Sequence, residues 1–451
     1  MVDHPESGRP IDPIEGAARL GGLRGRVLLH SARDDDGLGR GSFVAAEPTA
    51  TLIARGHSLL LLDPDGRAKK RWTGDPFEAI EAFLAEHGCR LTDGPAPLSA
   101  HEPRVVGFFA YDLARVIETL PGGPALGQDT PDVWLAAYGA VARWSSPSDR
   151  RFEIVGPDTE ARTRLAAHLA RPPSPTVPPT LGPFVADDDG VHHMARVERI
   201  KDYLAAGDVY QVNLARRLVA RVSSPGDALA IYAALAAVAP APYGALLEAD
   251  GLTMISGSPE RFLASIGDRI ETRPIKGTHV QSEALAASAK DAAEHLMIVD
   301  LERNDLGRIA ETGSVAVDDL GYIVELPTLY HKVSRVSARP RADTGFGALL
   351  RATFPGGSIT GAPKVRAMQL IDELEPARRG PYCGAFGYFG ASGAFDLAIA
   401  IRIGVIKGNE LRVHVGGGIV ADSDPAAELA ETEVKAAGWT AALARLPRTS
   451  S

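Results

Sequence analysis

The amino-acid sequence predicts an α+β fold that is built on large antiparallel sheets. Strand-like segments separated by turn residues recur along the chain, and one of them, Val209–Val222, is long. Leu397–Ile406 and Glu410–Val415 have the pattern of a strand pair that ends in a run of glycines. Helical spacing is found in a few segments between the strands, and the sequence contains no internal repeat.

The predicted secondary-structure elements alternate along the chain. Upstream of residue 171 the strand-like segments are Arg26–His30, Ser58–Leu62 and Val105–Ala110, and the spacing of Asp75–His87 is helical. Downstream the predicted helices are Met194–Ala206, the Ala-rich and buried Ala228–Ala239, Ala286–Asp305, and two that open at Pro363 and Pro425. Proline favours the first position of a helix, where its missing N–H would have had no partner.

A proline-rich segment divides the chain. Residues 171–184, RPPSPTVPPTLGPF, contain six prolines and show no regular periodicity, which predicts an exposed linker. With 451 residues the chain is too long for one ordinary core. We therefore expect an N-terminal domain over residues 1–170 and a second domain over residues 185–445.

Composition excludes several classes of protein. A net charge of −9 argues against a general binder of nucleic acid or of a membrane surface, because phosphates are held by basic faces. Cys89 and Cys383 are the two cysteines, so neither a disulfide framework nor a cysteine metal site is expected. Met1–Pro10 is polar and does not resemble a signal peptide, and Ala228–Ala239 is too short to span a bilayer. We expect a soluble, cytoplasmic protein.

Charged residues near the C-terminus are candidates for a binding site. Glu428, Glu431 and Lys435 share one face of the last predicted helix, and GGGIV directly precedes that helix. Glycines where a strand ends leave backbone N–H groups free to bind an anion. Mg²⁺ prefers oxygen ligands and typically takes one or two protein carboxylates together with substrate and water. The pattern fits a site for Mg²⁺ and a carboxylate, although a solvated charged face would have the same spacing.

Two further segments carry candidate chemistry. Asp291 and Glu294 are three residues apart on the helix predicted over Ala286–Asp305, a spacing that is also common on protein surfaces. Lys276, in TRPIKGT, follows a strand-like stretch, where most lysines are solvated charges. As a nucleophile Lys276 would need a pKa below the usual value of about 10.4, through burial or a neighbouring cation. Glu260, in SPERF, would be available as an acid.

The order of these motifs is more specific than any one of them. SPERF, PIKGT, AEHLMIVDLERNDLGRI, PGGSITGAPKVRAMQLIDELEP, RRGPYCGAFGY and GGGIVADSDPAAELAETEVK together resemble the chorismate-utilising enzymes, which include anthranilate, aminodeoxychorismate, isochorismate and salicylate synthases. The resemblance covers Gly207 to Trp439. Upstream, LLHSARDDD and VVGFFAYDLARVIETLP are similar to the N-terminal domain of the two aminating members. The resemblance implies antiparallel sheets packed together with helices outside, and an N-terminal domain that shares this architecture.

The resemblance also implies a set of site residues. Glu294 and Glu431 would bind Mg²⁺, with Glu428 and Asp291 nearby as direct or water-mediated partners. The carboxylates of chorismate would meet Arg402, Lys435, Tyr382 and the backbone of Gly416, Gly417 and Gly418. The ring would be lined by His331, Ser358, Gly277 and Thr278. Glu260 would be the general acid that assists departure of the ring hydroxyl.

Two positions discriminate among the family members. Isochorismate and salicylate synthases resemble each other in a water-activating lysine at the position of Gln211, so water addition is disfavoured here. Aminodeoxychorismate synthases have PIKGT where anthranilate synthases have PIAGT, which implies that Lys276 attacks chorismate covalently. The implied product is 4-amino-4-deoxychorismate, a precursor of 4-aminobenzoate and folate. Cys89 and Cys383 do not lie in a glycine-rich elbow, so we expect ammonia from a separate glutamine amidotransferase subunit.

Two alternatives remain open at this stage. The first is the synthase component of anthranilate synthase, and the second is a non-catalytic regulatory protein that binds an amino acid. The second alternative arises because Ser31, Pro242, Tyr243 and Gly244 match a tryptophan pocket of the family. His30 replaces the glutamate of the LLES motif in that pocket. We expect the pocket to hold tryptophan constitutively or to be vacant, without feedback inhibition, unless Ser31 and Tyr243 are simply core residues.

Overall fold

The computed structural model describes residues 10–34, 36–39, 41–91, 102–123, 129–173, 175–279, 281–287, 289–325 and 330–447. The strands upstream of the proline-rich segment are β1 (Val27–His30), β2 (Ser42–Ala45), β3 (Ala50–Arg55), β4 (Ser58–Leu62), β5 (Ala68–Thr73), β6 (Pro103–Phe109), β7 (Val133–Ala137), β8 (Val141–Trp144) and β9 (Glu153–Val155). The later strands are β10 (Thr180–Ala186), β11 (Gln211–Ser224), β12 (Tyr243–Ala249), β13 (Leu252–Ser258), β14 (Arg261–Ile266), β15 (Arg269–Arg273), β16 (Ile275–His279), β17 (Ala316–Glu325), β18 (Tyr330–Ala338), β19 (Gly361–Ala362), β20 (Ala385–Gly390), β21 (Phe395–Ile399), β22 (Ile403–Lys407) and β23 (Glu410–Ile419). The helices are α1 (Pro13–Arg19), α2 (Pro76–Glu86), α3 (Thr159–Ala170), α4 (Gly190–Ala205), α5 (Leu229–Val238), α6 (Ser282–Ala287), α7 (Ala289–Gly307), α8 (Phe346–Thr353), α9 (Lys364–Leu374) and α10 (Pro425–Leu443).

The strands form two large antiparallel sheets. In the first sheet the strands lie in the order β10-β11-β23-β22-β13-β12-β1-β2-β8-β9, and β19 pairs with β11. In the second sheet the order is β16-β18-β15-β14-β21-β20-β6-β7-β3-β4-β5, and β17 pairs with β18. The predicted α+β class with large antiparallel sheets is therefore confirmed. No helix in the described part of the chain has the length and apolar character needed to cross a membrane.

Both sheets contain strands from each side of the proline-rich segment. The junction in the first sheet is β1 with β12, where Leu28 lies opposite Leu246. The junction in the second sheet is β6 with β20, where Gly107 lies opposite Gly387. The N-terminal part thus shares the architecture of the rest, as expected. The domain boundaries themselves stay predictions.

The main hydrophobic core lies between the two sheets. Val27 and Leu29 of β1 belong to the same buried cluster as Phe108 of β6, whereas Leu28 belongs to a second cluster that includes residues of α1, α5 and α10. Successive side chains of a strand point to opposite faces, so a strand between the core and a helical layer needs apolar residues on both faces. The helical layer accounts for the buried, Ala-rich α5, which was predicted over Ala228–Ala239.

The structure differs from the predicted linker at its C-terminal end. Thr180–Ala186 forms β10, which pairs with β11 at the edge of the first sheet. Proline lacks an N–H but is tolerated on an edge strand, and the pairing is irregular between Leu181 and Phe184, on either side of Pro183. The proline content of this stretch therefore did not rule out a strand.

The predicted strand Leu397–Ile406 is wrong as a single element. It consists of β21 in the second sheet and β22 in the first, joined by a short crossing. Arg402 in that crossing has φ of 51°, a left-handed conformation that breaks an extended strand. The carbonyl of Arg402 accepts a hydrogen bond from the N–H of Gly257 at 3.1 Å, which anchors the crossing to the end of β13. The crossing brings Arg402 to the place where the two sheets meet.

Candidate active site

Lys276 lies on β16 at the edge of the second sheet. Its Nζ donates a hydrogen bond to the carbonyl oxygen of Ser358 at 3.2 Å, and the side chain is half-buried. Burial lowers the pKa of Lys276 from its usual value, because a low-polarity environment disfavours the ammonium form, and the nearby charge of Lys435 acts in the same direction. The carboxylates of Glu260, Glu294 and Glu431 oppose this shift. Lys276 therefore lies among the acidic residues that the sequence assigned to the site.

Glu260 lies close to Lys276 and is 5% exposed. Burial raises the pKa of its carboxyl group, while hydrogen bonds from the Ser358 side chain and the Ile275 backbone, and the charge of Lys276, act against the shift. A raised pKa favours the protonated form that a general acid must have before it donates a proton. Glu260 is therefore near Lys276 in surroundings that favour its protonated form, and its role as general acid stays a prediction.

His331 and Arg402 are close enough for the charge of Arg402 to act on the His331 ring. His331 on β18 is opposite Thr278 on β16, is buried, and hydrogen bonds to the backbone of Gly277. Burial, with the charge of Arg402, lowers the pKa of His331 to about 4, so the ring is neutral at pH 7. The Arg402 side chain is exposed, and it interacts electrostatically with the carboxylate of Glu260. The Thr278 side chain lies outside the described residues.

The predicted charged face of α10 lies against the glycine run of β23. Lys435 Nζ is 2.6 Å from Glu431 Oε1 and donates a hydrogen bond of 2.7 Å to the Gly416 carbonyl. A Cβ atom on Gly417 would lie 3.2 Å from Glu428 Oε2 and 3.4 Å from Glu431 Oε1. The glycine at this position therefore leaves room for both carboxylates beside the strand.

The glycine run lies at the end of β23, as predicted, but the strand continues through it to Ile419 and does not stop at Val415. Gly416, Gly417 and Gly418 lie within β23 and pair with Ala215, Leu214 and Asn213 of β11. Pairing with β22 on the opposite side ends at Val413. A Cβ atom on Gly418 would lie 2.8 Å from the Nε2 atom of Gln211, which is fully buried at the start of β11. The glycines therefore also allow the close approach of Gln211, which the residue types alone did not indicate.

The predicted metal ligands converge without forming a ready-made cage. Among the residues that the structure describes, no group of three or more His, Cys, Asp and Glu side chains is arranged to hold a metal ion. Glu428 and Glu431 both have carboxylate oxygens near the Cβ position of Gly417. Glu294 and Glu431 both interact electrostatically with Lys276. One or two carboxylates suffice for Mg²⁺ when substrate and water complete its coordination. The donor set fits Mg²⁺ in this sense, and its presence stays a prediction; the Asp291 side chain lies outside the described residues.

Tyr382, another predicted substrate contact, lies against two other side chains. It is buried, its ring stacks on His414 with centroids 5.2 Å apart, and the Arg379 guanidinium lies 5.9 Å from the ring centroid. Its predicted contact with a chorismate carboxylate stays a prediction.

Sequence reasoning missed two buried charged residues beside this site. Glu302 on α7 and Arg379 after α9 both bind the short turn Gly357–Ile359 that carries Ser358. Glu302 was open to prediction, because it follows Ile298 and Val299 at helical spacing and so falls on the buried face of α7. Arg379 lies outside a periodic segment and gave no comparable signal.

The residues predicted to form a tryptophan pocket line one cavity of about 580 Å³. Ser31, Pro242, Tyr243 and Gly244 contribute to its wall together with His30, Arg261, Tyr388 and Asp396. His30 Nδ1 lies 2.7 Å from the hydroxyl of Tyr232, and burial lowers the pKa of His30 to about 4. The His30 side chain is therefore neutral at pH 7. Ser31 and Tyr243 border an open space, which goes beyond a role as core residues.

Comparison with known proteins agrees with this geometry. Residues 28–441 match the family described as chorismate binding enzyme. Aminodeoxychorismate synthase component 1 of Klebsiella aerogenes is 38% identical over 420 residues, which are 90% of this chain and 91% of that protein. Anthranilate synthase component 1 1 of Haloarcula marismortui is 37% identical over 394 residues, 80% of this chain and 79% of that protein.

A solved structure is similar throughout its length. The crystal structure of anthranilate synthase component I from Streptococcus pneumoniae TIGR4 has a TM-score of 0.75 and 29% sequence identity, and the match covers 89% of this chain and 92% of that one. The two packed antiparallel sheets and the matched residues lead to the same assignment, and this chain belongs to the family of chorismate-binding enzymes.

Proposed function

We propose that this protein aminates chorismate to 4-amino-4-deoxychorismate with ammonia and Mg²⁺. The observation that carries the proposal is Lys276, half-buried, with a lowered pKa, and close to Glu260. Overall identity does not choose between the two aminating reactions, because relatives named for each are 38% and 37% identical to this chain. Anthranilate synthase activity is the second candidate for that reason. Lys276 argues against it, because the resemblance places alanine there in anthranilate synthases.

The proposed reaction has two displacements. The unprotonated Nζ of Lys276 attacks ring carbon 2, the ring double bonds shift, and the bond from carbon 4 to its hydroxyl breaks. Glu260 donates its proton to the departing hydroxyl, which leaves as water. Ammonia then attacks carbon 4, the double bonds shift back, and the bond between carbon 2 and Lys276 breaks with its electrons returning to nitrogen. A proton from the new ammonium group returns to Glu260.

The remaining residues of the site bind and orient the substrate. Chorismate is a dianion and this protein has a net charge of −9, so positive charge must be supplied locally. Arg402 and Lys435 are the side chains proposed to meet the carboxylates, and neutral His331 lines the ring. Glu294 and Glu431 would hold Mg²⁺, with Glu428 beside them, and a bound Mg²⁺ would neutralise substrate carboxylate charge.

The ammonia source and pathway belong to the same proposal. The relative from Klebsiella aerogenes is named component 1, which points to a second subunit in that protein. We infer that a glutamine amidotransferase supplies ammonia here as well, and that the product leads to 4-aminobenzoate and folate. Identification of the product formed from chorismate, Mg²⁺ and ammonium tests the proposal, since the two candidate reactions give different products.

The metal assignment predicts the behaviour of Glu431→Gln. This change keeps the side-chain volume and removes one charged ligand, so the Mg²⁺ concentration for half-maximal activity is expected to rise by about tenfold or more. Titration of initial rates with Mg²⁺ measures it. Glu433→Gln is the matched control, because Glu433 is an exposed residue of the same helix that pairs with Arg216 at 2.9 Å. An unchanged Mg²⁺ requirement in Glu431→Gln would show that Glu431 is not a ligand.

From the cavity lined by the predicted tryptophan-pocket residues, we expect that tryptophan does not regulate the reaction. The family glutamate is replaced by His30, which is neutral at pH 7 and cannot provide the same negative charge. Millimolar tryptophan is expected to change the initial rate by less than about twofold, a difference too small for a feedback switch. A thermal-shift measurement on the same samples distinguishes a vacant cavity from one already filled. Strong inhibition that competes with chorismate would contradict this interpretation of the cavity.

A further inference from the structure

The short turn Gly357–Ile359 contacts both residues to which chemical steps are assigned. The carbonyl oxygen of Ser358 accepts the hydrogen bond from Lys276 Nζ at 3.2 Å. The side chain of Ser358 hydrogen bonds to the carboxyl group of Glu260. A displacement of this turn would therefore move the contacts of the nucleophile and of the acid together.

Two buried charged side chains hold this turn from opposite ends. Glu302 Oε1 accepts a hydrogen bond of 2.9 Å from the backbone N–H of Gly357. Arg379 Nη1 donates a hydrogen bond of 3.0 Å to the carbonyl of Ile359. Glu302 is 3% exposed and Arg379 is 2% exposed. The backbone on each side of Ser358 is thus fixed by a side chain from another segment.

Arg379 is itself held by several hydrogen bonds, and the turn packs closely against the helix that carries Glu302. Arg379 donates to Glu375 at 2.7 and 3.0 Å and to the carbonyl of Asn213 at 2.8 Å, in addition to Ile359. A Cβ atom on Gly357 would lie 2.6 Å from the Cδ2 atom of Leu301 and 3.1 Å from Glu302 Oε1. The turn therefore packs directly on α7, with no room for a larger residue at position 357.

Burying charges here is costly for the fold. Removing an ionised side chain from water carries a large desolvation penalty, and a well-packed apolar group of the same volume is often as stable or more so. Burial next to Asp305 raises the pKa of Glu302 to about 7, which reflects this penalty. The geometry gives the pair a use that apolar side chains lack, namely directed hydrogen bonds to the backbone of the turn.

We propose that Glu302 and Arg379 are positioning residues for the reaction. They fix the turn so that Ser358 keeps Glu260 and Lys276 at the separation that attack and proton donation require. This inference rests on the proposed amination of chorismate. Small displacements of reacting groups cost large factors in rate, on the order of a hundredfold for about 1 Å. The effect should therefore appear in kcat, with little change in chorismate binding.

Two variants of Glu302 test the proposal. Glu302→Leu removes the acceptor for Gly357 and is expected to lower kcat by about 10- to 100-fold, with KM for chorismate within about threefold. Glu302→Gln keeps an oxygen acceptor for the Gly357 N–H, so the turn is still held. The hydrogen bond becomes neutral and weaker, and kcat is expected to stay within about threefold of the native value. Asp372→Asn is the matched control, a buried carboxylate on α9 that pairs with Arg115, and it is expected to change stability but not kcat.

A double-mutant cycle with Ser358→Ala separates positioning from general destabilisation. If Glu302 acts through the turn, Glu302→Leu is expected to lower kcat at least about threefold less in the Ser358→Ala background than in the native protein. Equal losses in both backgrounds, or a loss confined to KM, would overturn the proposal. Should Glu302→Leu not fold, Arg379→Lys takes its place with the same expectation, because lysine cannot bond to Glu375, Asn213 and Ile359 with one planar fork.

The cycle also separates this inference from the proposed function. Rates are measured as chorismate consumption, and the product of the native protein is identified in parallel. If the native product is not 4-amino-4-deoxychorismate, the proposed function fails whatever the variants do. If that product forms and the cycle is additive, the positioning role fails alone.

Discussion

Replacement of Lys276 by alanine is expected to lower kcat for amination by about three orders of magnitude or more. The change removes the nucleophile, so the first displacement has no direct route, and losses of this size are typical when a covalent catalyst is deleted. The measurement is the initial rate at saturating ammonium, with the product identified by mass spectrometry. Mg²⁺ binding and the unfolding temperature are expected to stay close to the native values.

The control for this prediction is Lys407→Ala. Lys407 is the last residue of β22, at the end of the strand away from the Arg402 crossing, and it lies opposite Glu410 of β23. Near-native amination by Lys276→Ala would show that ammonia attacks chorismate without a covalent intermediate. Traces of anthranilate would support the view that Lys276 decides between the two products, because Lys276→Ala recreates the PIAGT motif.

Glu260→Gln is expected to lower kcat by roughly 10²- to 10⁴-fold, the range typical of general acid catalysis. The amide keeps the volume and cannot donate an acidic proton, so KM for chorismate should change little. Glu248→Gln provides a control for the loss of a carboxylate elsewhere, since Glu248 pairs with Arg26 at 2.7 Å. A loss of less than about tenfold would assign Glu260 a structural role.

The pH dependence of kcat provides an independent check on both residues. Burial lowers the pKa of Lys276, so the rate is expected to rise with pH as the ammonium group loses its proton. Burial raises the pKa of Glu260, so the rate is expected to fall at higher pH as this carboxyl group loses its proton. Glu260→Gln should remove the alkaline fall and leave the rise. A profile with the same alkaline fall in the variant would point to another acid.

The sequence identified the parts of the site that depend on local spacing. Glu428, Glu431 and Lys435 lie together on α10 because residues three, four and seven apart share a helix face. Lys276 and Glu260 were found through motifs, but their proximity depends on the pairing of distant strands. The hydrophobic pattern of a strand does not show which other strand it pairs with. The family resemblance, by contrast, implied that Lys276 and Glu260 belong to one site.

Long-range features were beyond the reach of sequence reasoning. The apolar residues on both sides of Arg402 predict one continuous strand, because Arg402 has a left-handed backbone without being a glycine. The proline content of residues 171–184 predicts a linker, but an edge strand tolerates proline, so β10 begins inside that range. The hydrogen bonds from Glu302 and Arg379 to the Gly357–Ile359 turn join segments that are separate in sequence, so no local sequence pattern predicts them.

The most direct test of the central claim is the identity of the product. The protein is incubated with chorismate, Mg²⁺ and ammonium, and the reaction mixture is analysed by mass spectrometry against authentic standards. We predict 4-amino-4-deoxychorismate, which retains the enolpyruvyl side chain, and no release of pyruvate. Anthranilate together with an equal amount of pyruvate would contradict the account and would assign the protein to the other aminating reaction of its family.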